Sequence, residues 1–389
     1  MRIGIDARSI LSPEKGDAIG VGHYTYQLIR HLLEMDKENE YVLFFDWRVR
    51  EKDVKKFTRP NTTIRFYPFS DYKKYLPGVY NEILGAATLS KEKLDVLHST
   101  SPESRIPASY RGKTVVTFHD MSAFSVPEYL SAAKRTRAKA LATLMAKKAD
   151  RVIAVSESLQ KELERYLEVS PEKTQVIHSG IDKRFFEPAE ASSQKILAKF
   201  GIEKKYVLFL GTLEPTKNIG RILEAFAALK KKAKESGKKW DWQLVLAGKS
   251  GWLAPHYPQL VRDLGLAKDV IFTGYVIGDE LVPLFRGAQL FVMPSLYEGF
   301  GMTLLEAFAT ETPAIVSETA SLPEIAQDAA YFVNPASSGA IADAMELFMN
   351  DDGLRENYRG KGLERARQFS WEETARKTLE VYKKVAAAQ

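Results

Sequence analysis

The sequence predicts an α/β protein of two doubly wound, parallel-sheet domains facing each other across a cleft. Three observations predict it. Short apolar runs alternate with longer amphipathic ones through the first half of the chain, the pattern of parallel strands covered by helices. Around Val176-Ile-His-Ser-Gly-Ile-Asp182 the pattern pauses, residues 187–193 read as a polar connector, and the same alternation then restarts. The chain of 389 residues is also longer than one ordinary core organises. The domains are placed at residues 1–185 and 200–370.

In the first half, apolar runs place strands at residues 2–6, 41–45, 63–67, 95–98, 114–118 and 151–155, with helices at 24–33 and 131–148. In the second half, strands fall at 206–210, 243–247, 270–273, 290–293, 314–317 and 330–333, with helices at 219–233, 281–286 and 340–349. Residues 371–385 read as one long amphipathic helix, and periodicity alone does not say which domain it closes.

Hydrophobic residues make up 45% of the chain and mean hydropathy is -0.25. No run approaches the roughly 20 apolar residues that span a bilayer, and the opening Met-Arg-Ile-Gly-Ile-Asp enters a strand pattern without the apolar core of a secretory signal. The absence of cysteine excludes disulfides and thiolate metal sites, so the cytoplasm is the expected compartment. A net charge of +6 suits anionic partners: nucleotide phosphates, an anionic lipid surface or nucleic acid. Zinc-finger spacing, a basic tail and an aromatic ribonucleoprotein signature are all missing, which sets nucleic acid aside.

The most informative stretch is residues 294–306, Pro-Ser-Leu-Tyr-Glu-Gly-Phe-Gly-Met-Thr-Leu-Leu-Glu, which follows an apolar strand and opens a helix. Gly299 and Gly301 let backbone approach a ligand, and the amides opening the helix favour anionic or strongly accepting groups. Glu298 in the loop and Glu306 in the helix offer carboxylates at the two ends of an elongated, hydroxyl-rich ligand. Equally, Glu306 suits a helix first turn and Glu298 a solvated loop. Gly211-Thr-Leu-Glu-Pro-Thr-Lys-Asn218 is a second strand-to-helix turn. There Lys217 stands near a helix amino end, where its charge opposes the dipole unless an anion is close, and a diphosphate would resolve the conflict. The turns Ala247-Gly-Lys-Ser-Gly-Trp252 and Phe272-Thr-Gly-Tyr-Val276 end strands on the same edge. Lys249 is a further phosphate candidate, or a plain turn lysine, and backbone around Tyr275 and Val276 can lie against a base. The second domain is thus the nucleotide half.

In the first domain, Gly16-Asp-Ala-Ile-Gly-Val-Gly-His-Tyr-Thr25 reads as a loop opening a helix, with Gly20 and Gly22 suited to a phosphate or sugar, although it lacks a dinucleotide fingerprint. His119, followed by Asp120, ends a strand where a ligand-facing residue would sit. It is placed either to bond a sugar hydroxyl or to be held by its aspartate.

Together these motifs resemble the retaining glycosyltransferases of family four, built on the GT-B fold of two Rossmann-like domains. The resemblance runs from the opening Gly-Ile-Asp-Ala-Arg through His119-Asp120, Ala154-Val-Ser-Glu157 and Gly180-Ile-Asp182 to Gly211–Asn218 and the Glu298/Glu306 pair. It implies transfer of a sugar from a nucleotide sugar to an acceptor hydroxyl with retention and without a metal or other cofactor. By this resemblance Glu306 binds the ribose and Glu298 the donor-sugar hydroxyls. Phe300, Gly301 and Met302 amides with the Thr303 hydroxyl hold sugar and phosphate, Gly211 and Thr212 line the diphosphate turn, and Lys217 stabilises the leaving diphosphate. His119 meets the sugar near its C6 hydroxyl, and the Gly20–Gly22 loop approaches from across the cleft. The helix at 371–389 is assigned back to the first domain.

One departure concerns the arginine the family pairs with its lysine, because its two usual places hold Thr212 and Thr216. Arg221 or Lys249 are the available substitutes. The wording of the Gly211 and Gly248 turns resembles the mannosyltransferase branch, so GDP-mannose is the expected donor. UDP-glucose, UDP-N-acetylglucosamine and a catalytically weak nucleotide-sugar-binding protein are the alternatives. A saccharide or lipid-linked acceptor is expected, with peripheral contact between the basic 134–148 helix and the inner face of the cell membrane.

Overall fold

In the computed structural model, residues 1–12, 20–67, 81–188, 193–251 and 256–388 are described. The chain divides into two compact units, Met1–Gly180 with Ser370–Gln389, and Ile181–Phe369.

Unit one is built on a parallel sheet of seven strands among the described residues: β1 Arg2–Asp6, β2 Glu40–Asp46, β3 Thr62–Tyr67, β4 Val96–Ser99, β5 Thr114–Phe118, β6 Arg151–Ala154 and β7 Thr174–Val176. Their spatial order is β3-β2-β1-β4-β5-β6-β7, so the chain reverses its direction of travel between β1 and β4. β4 and β5 are buried throughout, as strands covered on both faces must be. Six of the seven strands match the sequence expectation to within a residue or so. β7 does not: it falls where the apolar pattern pauses, because its burial comes from pairing on β6 rather than from an apolar run of its own.

The helix Gly20–Met35 begins four residues earlier than its apolar spacing indicates. Gly20 and Gly22, expected in a loop, therefore lie in its first turn. Gly20 takes φ +66°, the left-handed backbone that glycine tolerates where the chain turns into a helix. Residues 13–19, including Gly16, lie outside the described residues. The helix Trp371–Ala387 packs on Gly20–Met35 and is capped by Ser370, whose side chain accepts from Glu373 N–H. Trp371 and Tyr382 are among the largest fully buried side chains, which ties this helix to unit one.

Unit two holds a second parallel sheet, six strands among the described residues: β8 Lys205–Leu210, β9 Trp242–Ala247, β10 Val270–Gly274, β11 Leu290–Met293, β12 Ala314–Ser317 and β13 Tyr331–Val333. The order is β10-β9-β8-β11-β12-β13, so the switch point falls between β8 and β11. Alternate residues Val207 and Phe209, Leu244 and Leu246, Leu290 and Val292 enter one core with the helices Ile219–Glu235 and Ser338–Asn350, as the two-residue period of a strand requires. Residues 181–185 group with this unit: Ile181 N–H donates to Phe369 O at 3.3 Å, and Phe185 meets Phe285 edge to face at 6.3 Å. Among the described residues no helix is long and apolar enough to cross a membrane.

Candidate functional site

Ligands of open parallel sheets bind beyond the carboxyl ends of strands at the switch point. In unit two this is where the loop after β8, carrying Lys217, meets the loop after β11, carrying Glu298. Backbone carbonyls help stitch these loops: Leu296 N–H donates to Thr216 O at 2.8 Å, and Asn218 Nδ2 to Pro294 O at 3.0 Å. Asn218 also reaches Pro335 O at 2.7 Å, and it caps the helix Ile219–Glu235 with φ +63°, a left-handed conformation that asparagine tolerates.

Lys217 lies in the short turn Pro215–Lys217 just before that helix. Its charge is answered within the protein, where sequence called for a diphosphate: Lys217 Nζ donates to Glu298 Oε1 at 2.7 Å. The same carboxylate oxygen accepts from Ser295 Oγ at 2.8 Å, and Ser295 is fully buried. Behind the loop, Ser321 Oγ donates to Glu298 O at 2.9 Å.

Gly301 caps the helix Met302–Ala309 at φ +101°, and a Cβ there would meet Leu322 Cδ2 at 2.9 Å, so both backbone and space call for glycine. Phe300 is buried and meets Phe369 edge to face at 6.1 Å. Met302 and Thr303 supply opening amides of the helix, which have no intrahelical acceptor. The Thr303 hydroxyl donates to Met293 Sδ at 3.3 Å, which leaves its lone pairs to accept. Glu306 keeps some solvent contact, yet burial pushes its carboxyl up to about 7, with Arg184 opposing and Asp182 adding to the rise.

The remaining turns frame the same edge. Gly248 adopts φ +142° against Gly211 O, where a Cβ would stand at 1.8 Å, and Gly211 N–H donates to Ala247 O at 2.9 Å. Thr212 is half-buried and Lys249 exposed. Leu213 N–H donates to the Lys249 carbonyl at 3.0 Å. After β10, Tyr275 is exposed and Val276 buried. Arg221 Nη1 donates to Asn218 Oδ1 at 2.9 Å, in the first turn of its helix. Trp252 lies outside the described residues.

In unit one, His119 follows β5. Its Nε2 lies 2.8 Å from Thr100 O; a carbonyl only accepts, so Nε2 carries the proton and Nδ1 is the accepting nitrogen. Burial holds the imidazole below its ordinary pKa, while the Thr100 bond, Asp120 and Glu103 work the other way. Thr100 Oγ1 lies 2.9 Å from Thr25 Oγ1, and Thr25 Oγ1 donates to Val21 O at 2.8 Å. The turn holding Gly20 and Gly22 is thereby linked to His119. Sequence reasoning missed Ser295, Ser321, Asp182 and Arg184 as site residues. Ser295 and Asp182 stand inside motifs it singled out, whereas nothing local marks Ser321 or Arg184.

Comparison with known proteins agrees with this architecture. Residues 19–185 match Glycosyltransferase Family 4 and residues 192–365 match Glycosyl transferases group 1. The chain is 28% identical over 380 residues to the O-antigen chain mannosyltransferase B of Escherichia coli, covering 95% of this chain and 97% of that one. The sucrose-phosphate synthase structure from Thermosynechococcus elongatus superposes with a TM-score of 0.76 at 21% identity, covering 100% of both chains. Anabaena HepE in complex with UDP-glucose superposes with a TM-score of 0.75 at 16% identity, over 99% of this chain and 100% of that one. These two likenesses show the fold. With both domain matches in sequence order, the chain belongs to the family-four glycosyltransferases and has the GT-B fold.

Proposed function

We propose that this glycosyltransferase is a retaining hexosyltransferase that moves mannose from GDP-mannose to a hydroxyl of a saccharide or lipid-linked saccharide. The observation that carries the reading is the convergence of Lys217, Glu298 and the helix Met302–Ala309 at the switch point of the second sheet. Glu306 takes the ribose hydroxyls. Glu298 accepts from the donor sugar, and the Phe300, Gly301 and Met302 amides with Thr303 hold sugar and phosphate. Gly211, Thr212, Tyr275, Val276 and Lys249 frame the rest of the nucleotide. Lys217, with Arg221 as the substitute for the family's arginine, supplies the positive charge that the departing diphosphate needs as the bond from C1 to its oxygen breaks, the acceptor oxygen bonds to C1 and the acceptor's proton passes to the departing phosphate oxygen. No metal or other cofactor has a part in this reading. His119 accepts a hydrogen bond from the C6 hydroxyl at Nδ1, and the Gly20–Gly22 turn serves the acceptor side.

Mannose is favoured by the relative whose name specifies it and which this chain matches nearly end to end. UDP-glucose is the second reading, favoured by its presence in a structure of the same fold. A donor panel scored by anomeric NMR separates base, sugar and stereochemistry in one measurement. Transfer from GDP-mannose with retention is expected; preference for a UDP sugar, or inversion, overturns the reading. Glu298→Ala should abolish transfer while nucleotide binding persists. A lipid-linked acceptor also implies contact with an anionic leaflet through the helix Ala132–Lys148, where Lys134 and Arg137 are exposed. Salt-sensitive sedimentation with anionic but not neutral liposomes is the expected result.

A further inference from the structure

The Lys217–Glu298 pair joins two groups whose expected partners lie on different parts of a sugar nucleotide. Lys217 Nζ and Glu298 Oε1 are 2.7 Å apart, and their side chains retain only 20% and 15% of their exposure. Three features hold the pair together. Ser295, fully buried, donates to the same Glu298 oxygen. Ser321 pins the Glu298 carbonyl, and Asn218 ties the lysine's loop to Pro294. The lysine precedes the amino end of a 17-residue helix, a place unfavourable for a cation, so the carboxylate also offsets the helix dipole.

We propose that this ion pair makes the site discriminate between an intact sugar nucleotide and the bare nucleoside diphosphate left after transfer, an inference that rests on the donor-site reading above. Any diphosphate that engages Lys217 competes with Glu298 for one ammonium group. A sugar nucleotide compensates both halves of the broken pair: phosphate oxygens take Lys217, and sugar hydroxyls donate to Glu298. A bare diphosphate compensates one half only. It leaves a largely buried carboxylate without its cation, an arrangement that low local dielectric makes costly. The pair therefore weakens product binding relative to donor binding, and its re-formation favours release of the spent nucleotide.

Calorimetric titration of GDP, UDP, GDP-mannose and UDP-glucose against the wild type, Glu298→Gln, Lys217→Met and the double variant tests this. The expected result is that Glu298→Gln tightens the nucleoside diphosphate about three- to tenfold, the range for removing a competing, partly buried ion pair, and does not tighten the intact sugar nucleotide. In the Lys217→Met background, Glu298→Gln should change diphosphate affinity by less than about twofold, because no lysine remains to be released. An unchanged diphosphate affinity in the single variant overturns the proposal. So does an equal gain with and without Lys217, which would mean simple repulsion through space. If Glu298→Gln does not fold, Glu298→Ala carries the same comparison. A wild-type protein that binds none of the four ligands overturns the donor-site reading itself, an outcome distinct from failure of the pair.

Discussion

Tyr382 Oη and His98 Nδ1 lie 2.6 Å apart, both fully buried, and join the carboxyl-terminal helix to β4. On the other side of the ring, Nε2 lies 2.8 Å from Thr117 Oγ1. Burial lowers the His98 pKa to about 3, with His119 adding to the effect, so the ring is neutral and has one N–H. If Tyr382 donates to Nδ1, then Nε2–H donates to Thr117 and both ring nitrogens are satisfied. The reverse assignment would leave the Tyr382 hydroxyl hydrogen without an acceptor among the described residues. Tyr382→Phe removes this donor and strands a buried nitrogen, at a cost of about 1–3 kcal/mol. Urea unfolding of the variant should show that loss; an unchanged midpoint would mean that the bond adds nothing.

The same histidine sets an acid limit. Its folded pKa is about 3 against about 6.5 for an unfolded histidine. Between these values the unfolded chain takes up a proton that the folded chain refuses. The contribution of neutral His98 is therefore complete above about pH 6.5 and declines on acidification towards pH 3, by at most about 1.4 kcal/mol per pH unit. Urea midpoints from pH 7 to pH 5 should fall more steeply for the wild type than for His98→Gln. Parallel lines would refute the assignment.

Glu306 works in the opposite sense. Its folded pKa, raised to about 7 from 4.5 by burial, means that the folded chain keeps a proton the unfolded chain has lost. This group's contribution to stability is fully present below about pH 4.5 and is lost as pH rises through 7. Asp182 and Arg184 are the charged neighbours that bear on it. If Glu306 takes the ribose hydroxyls as proposed, nucleotide binding should strengthen between pH 6 and pH 8, because a carboxylate accepts from hydroxyls better than a carboxylic acid. Glu306→Gln should flatten that dependence in calorimetry, and an equally steep variant would assign the effect to another group.

Gly248 is a steric requirement of the turns after β8 and β9. With φ +142° and a Cβ position 1.8 Å from Gly211 O, alanine fits only if the β8 and β9 turns separate. Gly248→Ala should cost about 3 kcal/mol or more, combining left-handed strain with a backbone clash. Thermal unfolding should show it. By contrast, Gly201→Ala, where φ is +73° and a Cβ meets nothing within 4 Å, should bear the strain alone and lose less.

Local signals made much of this molecule readable in one dimension. The strands Leu290–Met293 and Ala314–Ser317 are apolar runs bounded by turns, so they stand out by composition. The strand, glycine and helix order after β11 exposed Glu298, Gly301 and Glu306 as candidates in the same way. β7, only three residues long with an exposed Gln175, has no such run and was invisible. The first turn of Gly20–Met35 was hidden too, because glycines read as loop unless a cap fixes them.

The sequence by itself determined the fold class, the positions of nearly every strand, and the glycine turns that follow them, because period and punctuation are local properties of a chain. Tertiary structure alone decided that Lys217 meets Glu298, 81 positions away, that Asp182 and Arg184 bear on Glu306, and that Tyr382 reaches His98 across 284 positions. Each of these pairings depends on which strand lies beside which, or on which sheet a distant helix returns to. Strand order is set by the collective packing of the whole sheet, and no single segment encodes it.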